Sequence, residues 1–187
     1  MAKYYFDIET YSPGEKIDPS TDKIISIQFQ ELSDESGEAV GPLHVYKEWE
    51  SGEEAIVRKF FPKFRAWEFI PVGTNLAFER MFLKEKFEKY LGRGVTHKYL
   101  DYYMPSIDLQ PVLVVMNKGQ FRGSGLHYFS DKESSGEKIK EWYEAGDFKS
   151  IEEYIRMEAR AFIKLYVKLQ KELPKIFPRK EPLEQGP

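Results

Sequence analysis

The 187 residues contain no cysteine, which excludes disulfides, thiolate metal sites and a cysteine nucleophile. Histidine is nearly as scarce. His44, His97 and His127 stand far apart, without the spacing of a histidine-based zinc site. No run approaches the roughly eighteen apolar residues of a membrane span, and the N-terminus lacks the layout of a signal peptide. The expectation is a cytoplasmic protein with no membrane partner and no small-molecule cofactor. A basic excess is missing too. A net charge of −3 argues against a simple basic nucleic-acid-binding module. It leaves room for a nuclease, because bound metal ions offset an acidic site.

With 41% hydrophobic and 32% charged residues the chain reads as globular, and its length suits one sizeable core. The expected layout is one domain over residues 1–173 and a frayed tail over 174–187. Aromatic residues reach 16%, a surplus that leaves room for a homo-oligomer without identifying one.

Residues 3–10 and Lys23–Leu32 are rich in aromatic and β-branched side chains and read as strands, with a short third at 43–46. Their short connections predict an antiparallel meander. Ser51 and Glu54 have the form of a capping box, opening a helix that breaks near Pro62. Phe69–Gly73 reads as a strand, Leu76–Leu91 as a helix ended by Gly92, and Tyr99–Tyr103 as a further strand. Asp108 is placed to cap a helix beginning at Leu109, with Pro111 in its first turn. A glycine-rich loop covers 119–130 and a short helix 136–145. Ser150 and Glu153 form a second capping box, opening a long helix that runs to about Leu173 and is stopped by Pro174. Strands first, then alternating strand and helix, predict an α/β layer fold.

Tyr4-Tyr5-Phe6-Asp7-Ile8-Glu9-Thr10 carries the most information. Side chains alternate along a strand, so Asp7 and Glu9 share one face, about 7 Å apart. Two such carboxylates on a strand that otherwise reads as buried repel each other and resist desolvation, a cost that divalent cations remove. A solvated acidic edge strand is the plainer alternative. On the last helix, at about 100° per residue, Ile151, Ile155, Ala159, Phe162, Leu165, Tyr166 and Leu169 share one stripe. Glu158 falls inside that stripe and Tyr154 on its edge. A carboxylate there needs a metal, a buried cationic partner or a proton.

Gly73-Thr74-Asn75-Leu76-Ala77-Phe78-Glu79 crosses from strand to helix, where Asn75 can cap the helix and Glu79 favours its first turns. These segments resemble the DEDD 3′–5′ exonucleases of the ribonuclease H-like superfamily. The first family motif, D-x-E-T, is met by Asp7, Glu9 and Thr10. The second, G-x-N-x-x-F-D, is met by Gly73, Asn75 and Phe78, with Glu79 in place of Asp. The third, Y-x-x-x-D, has Tyr154 but ends in Glu158. The likeness spans about residues 3–170 and runs closest to stand-alone archaeal and bacterial proteins of this kind.

The resemblance implies a ribonuclease H-like mixed sheet, an antiparallel meander plus parallel strands, flanked by helices. It implies a two-metal 3′–5′ exonuclease acting on single-stranded nucleic acid, DNA ahead of RNA. Asp7, Glu9 and Glu158 would hold one divalent cation, Mg²⁺ or Mn²⁺, and Asp7 with Glu79 a second, with Asp108 in reserve. Tyr154 would orient the attacking water. Thr10, Asn75, Phe78 and Phe82 would receive the terminal nucleotide. Each Asp-to-Glu change moves a carboxylate by about 1.5 Å, which favours the more accommodating Mn²⁺ over Mg²⁺. Two rivals share the fold: a silent binding module and an endonuclease.

Overall fold

The computed structural model describes residues 2–92, 94–96, 98–130 and 136–176. Five strands form one sheet: β1 (Ala2–Tyr11), β2 (Lys23–Leu32), β3 (His44–Lys47), β4 (Phe69–Gly73) and β5 (Ile107–Asp108). Their order is β3-β2-β1-β4-β5. The first three run antiparallel as the expected meander, whereas β1–β4 and β4–β5 are parallel. The sheet is therefore mixed, with β1 at its centre.

Two helical layers cover it. On one face Phe6, Ile8, Ile24, Ile27 and Phe29 pack against Ile56, Val57 and Phe60 of α2 (Glu53–Phe60), and against Phe82, Leu83 and Phe87 of α3 (Leu76–Leu91). On the other face Tyr5, Leu32 and Val72 meet Leu113 of α4 (Gln110–Met116) and Phe162 and Leu165 of α6 (Phe148–Ile176). A bulge links the two layers. Glu9 pairs with Ser26 but Thr10 with Ile24, so Ile25 is the extra residue on β2. Ile25 consequently packs with Ile139, Ile151 and Ile155 from α5 (Ile139–Ala145) and α6, while Ile24 and Ile27 stay in the opposite core.

Four local expectations are corrected. Tyr99–Tyr103 forms a π-helical turn, not a strand, because Leu100 alone is buried and the amide of Tyr99 is held by Thr96 Oγ1 at 3.1 Å. Ser51 ends a short helix, α1 (Glu48–Ser51), so it does not cap α2. Gly52 occupies that position, and Glu53, not Glu54, turns inward to accept from the Ile24 amide at 2.7 Å. Asp147, not Ser150, caps α6: its carboxylate accepts from the Ser150 amide at 3.2 Å and from the Ser150 hydroxyl at 2.6 Å. Finally, α6 runs through Pro174 to Ile176. The rest of the tail expected to fray, 177–187, lies outside the described residues. No helix among those residues is long and apolar enough to cross a membrane.

Candidate active site

Parallel pairing of β1 with β4 runs to Tyr5 and Val72, and Asp7 and Glu9 lie beyond it. Open α/β sheets generally bind ligands outside the carboxyl ends of their parallel strands. Tight chain passage creates this place. A Cβ on Gly73 would stand 2.7 Å from the Phe6 carbonyl oxygen and 2.6 Å from a Leu76 methyl, so only glycine lets β4 end this close to β1.

α6 approaches the same place. Ile151, Ile155, Ala159, Phe162, Leu165, Tyr166 and Leu169 are all buried, as the stripe predicts, which turns Glu158 toward β1. Asp7, Glu9 and Glu158, each half-buried, offer carboxylate oxygens that all lie within 4.8 Å of one another. A small cavity of about 40 Å³ adjoins Asp7 and Glu158, walled by Tyr5, Thr74, Leu126 and Phe162. Three clustered oxygen donors, two of them bordering a space of roughly one water or ion, suit a hard divalent cation.

The sequence reading missed the polar support beneath this cluster. Gln28 lies directly across from Asp7 on β2 and is fully buried. Its Nε2 donates to Asp7 Oδ2 at 3.0 Å and to Glu9 Oε1 at 3.5 Å, while its Oε1 accepts from the Ser26 hydroxyl at 2.9 Å. Carboxylates only accept, so the amide nitrogen must face them. Tyr5, on the same strand face, donates its hydroxyl to Asp7 Oδ2 at 3.3 Å. Two polar residues at alternate positions of an Ile- and Phe-rich strand, Ser26 and Gln28, were the available signal.

Tyr154 is buried, and its hydroxyl hydrogen-bonds to Glu158 one turn along α6. Burial, then the charges of Glu158 and Glu9, push this phenol well above its ordinary value. The Cα of Gly136 sits so close that a Cβ there would lie 3.2 Å from that hydroxyl.

Glu79 is buried beside Asp7. Burial pushes its carboxyl well above the usual range, and the charges of Asp7 and Asp108 reinforce the effect against the opposing pull of its own backbone N–H. Glu79 Oε2 has no hydrogen-bond partner. A side-chain hydrogen bond with Asp7 also raises this carboxyl, so the pair is held by a shared proton or by a cation.

Asp108 has a different occupation. Its oxygens accept from the amides of Asn75, Leu76 and Gln110, each at 2.9 Å, so it caps the start of α3 and also holds that of α4. The sequence placed the cap on α4 alone and gave the α3 cap to the Asn75 side chain. Asn75 instead takes a left-handed backbone, φ 59°, with an exposed side chain that makes no capping bond. Thr10 is half-buried just past the bulge. Phe78 is half-buried, its ring 4.9 Å from that of Phe82. Phe82 is fully buried in the core and has no ring face to offer a nucleotide. A larger cavity of about 670 Å³, lined by Phe61, Pro62, Phe64, Val95 and Tyr99 among others, shares no residue with the carboxylate cluster.

No protein-family model and no curated protein matches the chain. Solved structures do. E. coli exonuclease I in complex with a dT13 oligonucleotide aligns with 94% of this chain and 42% of its own, at 11% identity and a TM-score of 0.65. A zinc-bound E. coli exonuclease I–ssDNA complex aligns with 95% of this chain and 41% of its own, at 12% identity and a TM-score of 0.60. At such identities the likeness defines the fold, which is ribonuclease H-like. The chain spans less than half the length of these exonuclease I chains.

Proposed function

We propose that this chain is a metal-dependent 3′–5′ exonuclease of single-stranded nucleic acid, with DNA preferred to RNA and residues 1–173 as its catalytic domain. The observation that carries the reading is the convergence of Asp7, Glu9 and Glu158 beyond the end of β4. The oligonucleotide and zinc named for the exonuclease I structures give it support.

In this reading Asp7, Glu9 and Glu158 hold one divalent cation, and Asp7 with Glu79 a second, as Mg²⁺ or Mn²⁺. When bound, such ions supply Lewis acidity, activating the attacking water and stabilising charge on the leaving 3′ oxygen. The chain's own groups do the rest. Gln28 holds Asp7 and Glu9 in place with its amide. Tyr154, already bonded to Glu158, orients the attacking water through its hydroxyl. Thr10, Asn75 and Phe78 receive the terminal nucleotide. The water gives up a proton as its oxygen bonds to phosphorus, and the bond from phosphorus to the 3′ oxygen breaks. That oxygen takes up a proton to become the new 3′ hydroxyl of the shortened strand, and a nucleoside 5′-phosphate departs.

The test is incubation of 5′-labelled single-stranded DNA and RNA with Mg²⁺ or Mn²⁺, resolved by product length. A ladder shortening from the far end is expected, abolished by chelator and slower on blunt duplex. Immediate release of labelled mononucleotide, or cleavage of a circular single strand, overturns it.

A further inference from the structure

In a chain that carries 31 acidic residues, positions 109–130 hold none, and no other acid-free run is as long. The second half of that run is a folded-back loop that presents aromatic and basic side chains outward. Phe121 is 77% exposed and Tyr128 64% exposed. Lys118 and Arg122, also exposed, make no ion pair among the described residues.

The loop is built to hold these groups still. Asn117 Nδ2 donates to the carbonyls of Gln120 at 2.6 Å and Arg122 at 2.9 Å. Ser124 is buried. Its hydroxyl donates to the Phe121 carbonyl at 2.7 Å and accepts from Gln110 Nε2 at 2.7 Å, next to the Asp108 cap. Leu126 closes the loop onto the site, being both part of the α6 core and a wall of the cavity at Asp7 and Glu158. Tyr128 follows two residues later, its ring 4.0 Å from that of His127. Exposed rings and cations on a hydrogen-bonded loop that reaches the wall of the carboxylate cavity have an evident use.

We propose that residues 117–128 form the track for nucleotides upstream of the 3′-terminal one. Phe121 and Tyr128 stack on bases, and Lys118 and Arg122 meet phosphates. This rests on the exonuclease reading above. Stacking of this kind is indifferent to sequence because every base has a π-face. Charge favours a polyanion over a second copy of the chain. A two-fold contact through this face would bring the positive charges of two copies together.

The experiment measures anisotropy of fluorescein-labelled oligothymidylates of about three and about fifteen nucleotides, lengths below and near the upper end of typical single-strand sites. Chelator is present, so binding is read apart from hydrolysis. The Phe121→Ala/Tyr128→Ala variant is expected to weaken the long strand roughly tenfold or more and the short one much less. Arg122→Gln should lower the salt dependence of long-strand binding by about 0.7 in log–log slope. Equal losses at both lengths, or none, overturn the track. So does a variant that changes only the protein's sedimentation, which would make the face a self-contact. If the wild type binds the long strand through these rings but never cleaves it, the track stands and the exonuclease reading falls. If it binds no strand, both fall.

Discussion

The side-chain amide of Gln28 donates to Asp7 Oδ2 at 3.0 Å, across a strand pair in which the two residues are direct partners. One buried amide thereby restrains a carboxylate that repulsion from Glu9 would otherwise push aside, and Ser26 fixes the amide in turn. Gln28→Leu keeps the volume but removes the donor and leaves the Ser26 hydroxyl unpaired. An unsatisfied buried polar group costs about 1–3 kcal/mol, so a modest loss of melting temperature is expected. The decisive readouts are metal affinity and turnover, both of which should fall more than tenfold. Unchanged Mn²⁺ titration and turnover would take Gln28 out of the site.

Asp7→Asn removes one of the three clustered charges and keeps the shape. In chelator this variant should melt at or above the wild-type temperature, because carboxylate repulsion is relieved. With metal the order should reverse. A ligand present at about a hundred times its dissociation constant adds roughly 2.7 kcal/mol to a protein that binds it, and the variant should gain almost none of that. A variant stabilised by Mn²⁺ as much as the wild type would show that the ion binds elsewhere.

Glu79 gives the metal-free protein a pH dependence of definite sign. Its folded-state pKa is raised above the ordinary 4.5 by burial and by Asp7 and Asp108. The stability it contributes is therefore complete below the unfolded value and is lost as pH rises through the folded one. In chelator the wild type should grow less stable across that window. Glu79→Gln, which cannot ionise, should flatten the slope and stand above the wild type at neutral pH. Melting curves at a series of pH values decide it, and a wild-type stability that rises with pH across the window would refute the assignment.

Much of this was legible because burial and periodicity coincide. β2, β4 and α3 have the bounds read from the sequence, since Ile and Phe runs end where Gly or polar residues begin. The α6 stripe exposed Glu158 as an acid on the wrong face, and the fold brings it to Asp7 and Glu9. What was lost depends on contacts distant in sequence. Asp108 caps α3 from 32 residues away, a bond that local spacing cannot register. Glu53 was drawn inward by Ile24 and Lys86, so the capping box centred on Ser51 and Glu54 never formed. Tyr99-Leu100-Asp101-Tyr102-Tyr103 has strand-like composition, but with one buried residue it had no sheet to join.

Lys86 is the cation that draws Glu53 inward. Both side chains are buried, 3.1 Å apart, and Lys86 Nζ also donates to the Asp22 carbonyl while Tyr90 donates to Glu53. The network ties α2 and α3 to the start of β2. Removing one partner of a buried pair typically costs about 3–5 kcal/mol, the loss expected for Lys86→Met. The double variant Lys86→Met/Glu53→Gln should recover part of it, since no unpaired charge remains. Urea unfolding of the four proteins measures the coupling, and strict additivity would mean that the pair does not interact.

Phe78 and Phe82 lie one turn apart on α3 with rings in contact, yet they should answer to different assays. Phe82 is fully buried among Leu83, Phe87 and the β1 aromatics. Phe82→Ala should cost about 3–5 kcal/mol of stability, and its folded fraction should bind nucleic acid as the wild type does. Phe78 keeps part of its ring open beside the Gly73–Glu79 junction. Truncating it leaves a cavity that solvent can enter, so the stability loss should be well below that of Phe82→Ala. If its ring stacks on the terminal base, about 1–3 kcal/mol of binding is lost, and the apparent substrate constant rises roughly tenfold. Chemical denaturation and steady-state kinetics on the same two variants separate the roles. Equal stability losses with an unchanged substrate constant for Phe78→Ala would assign both rings to the core and leave the terminal nucleotide to Thr10 and Asn75.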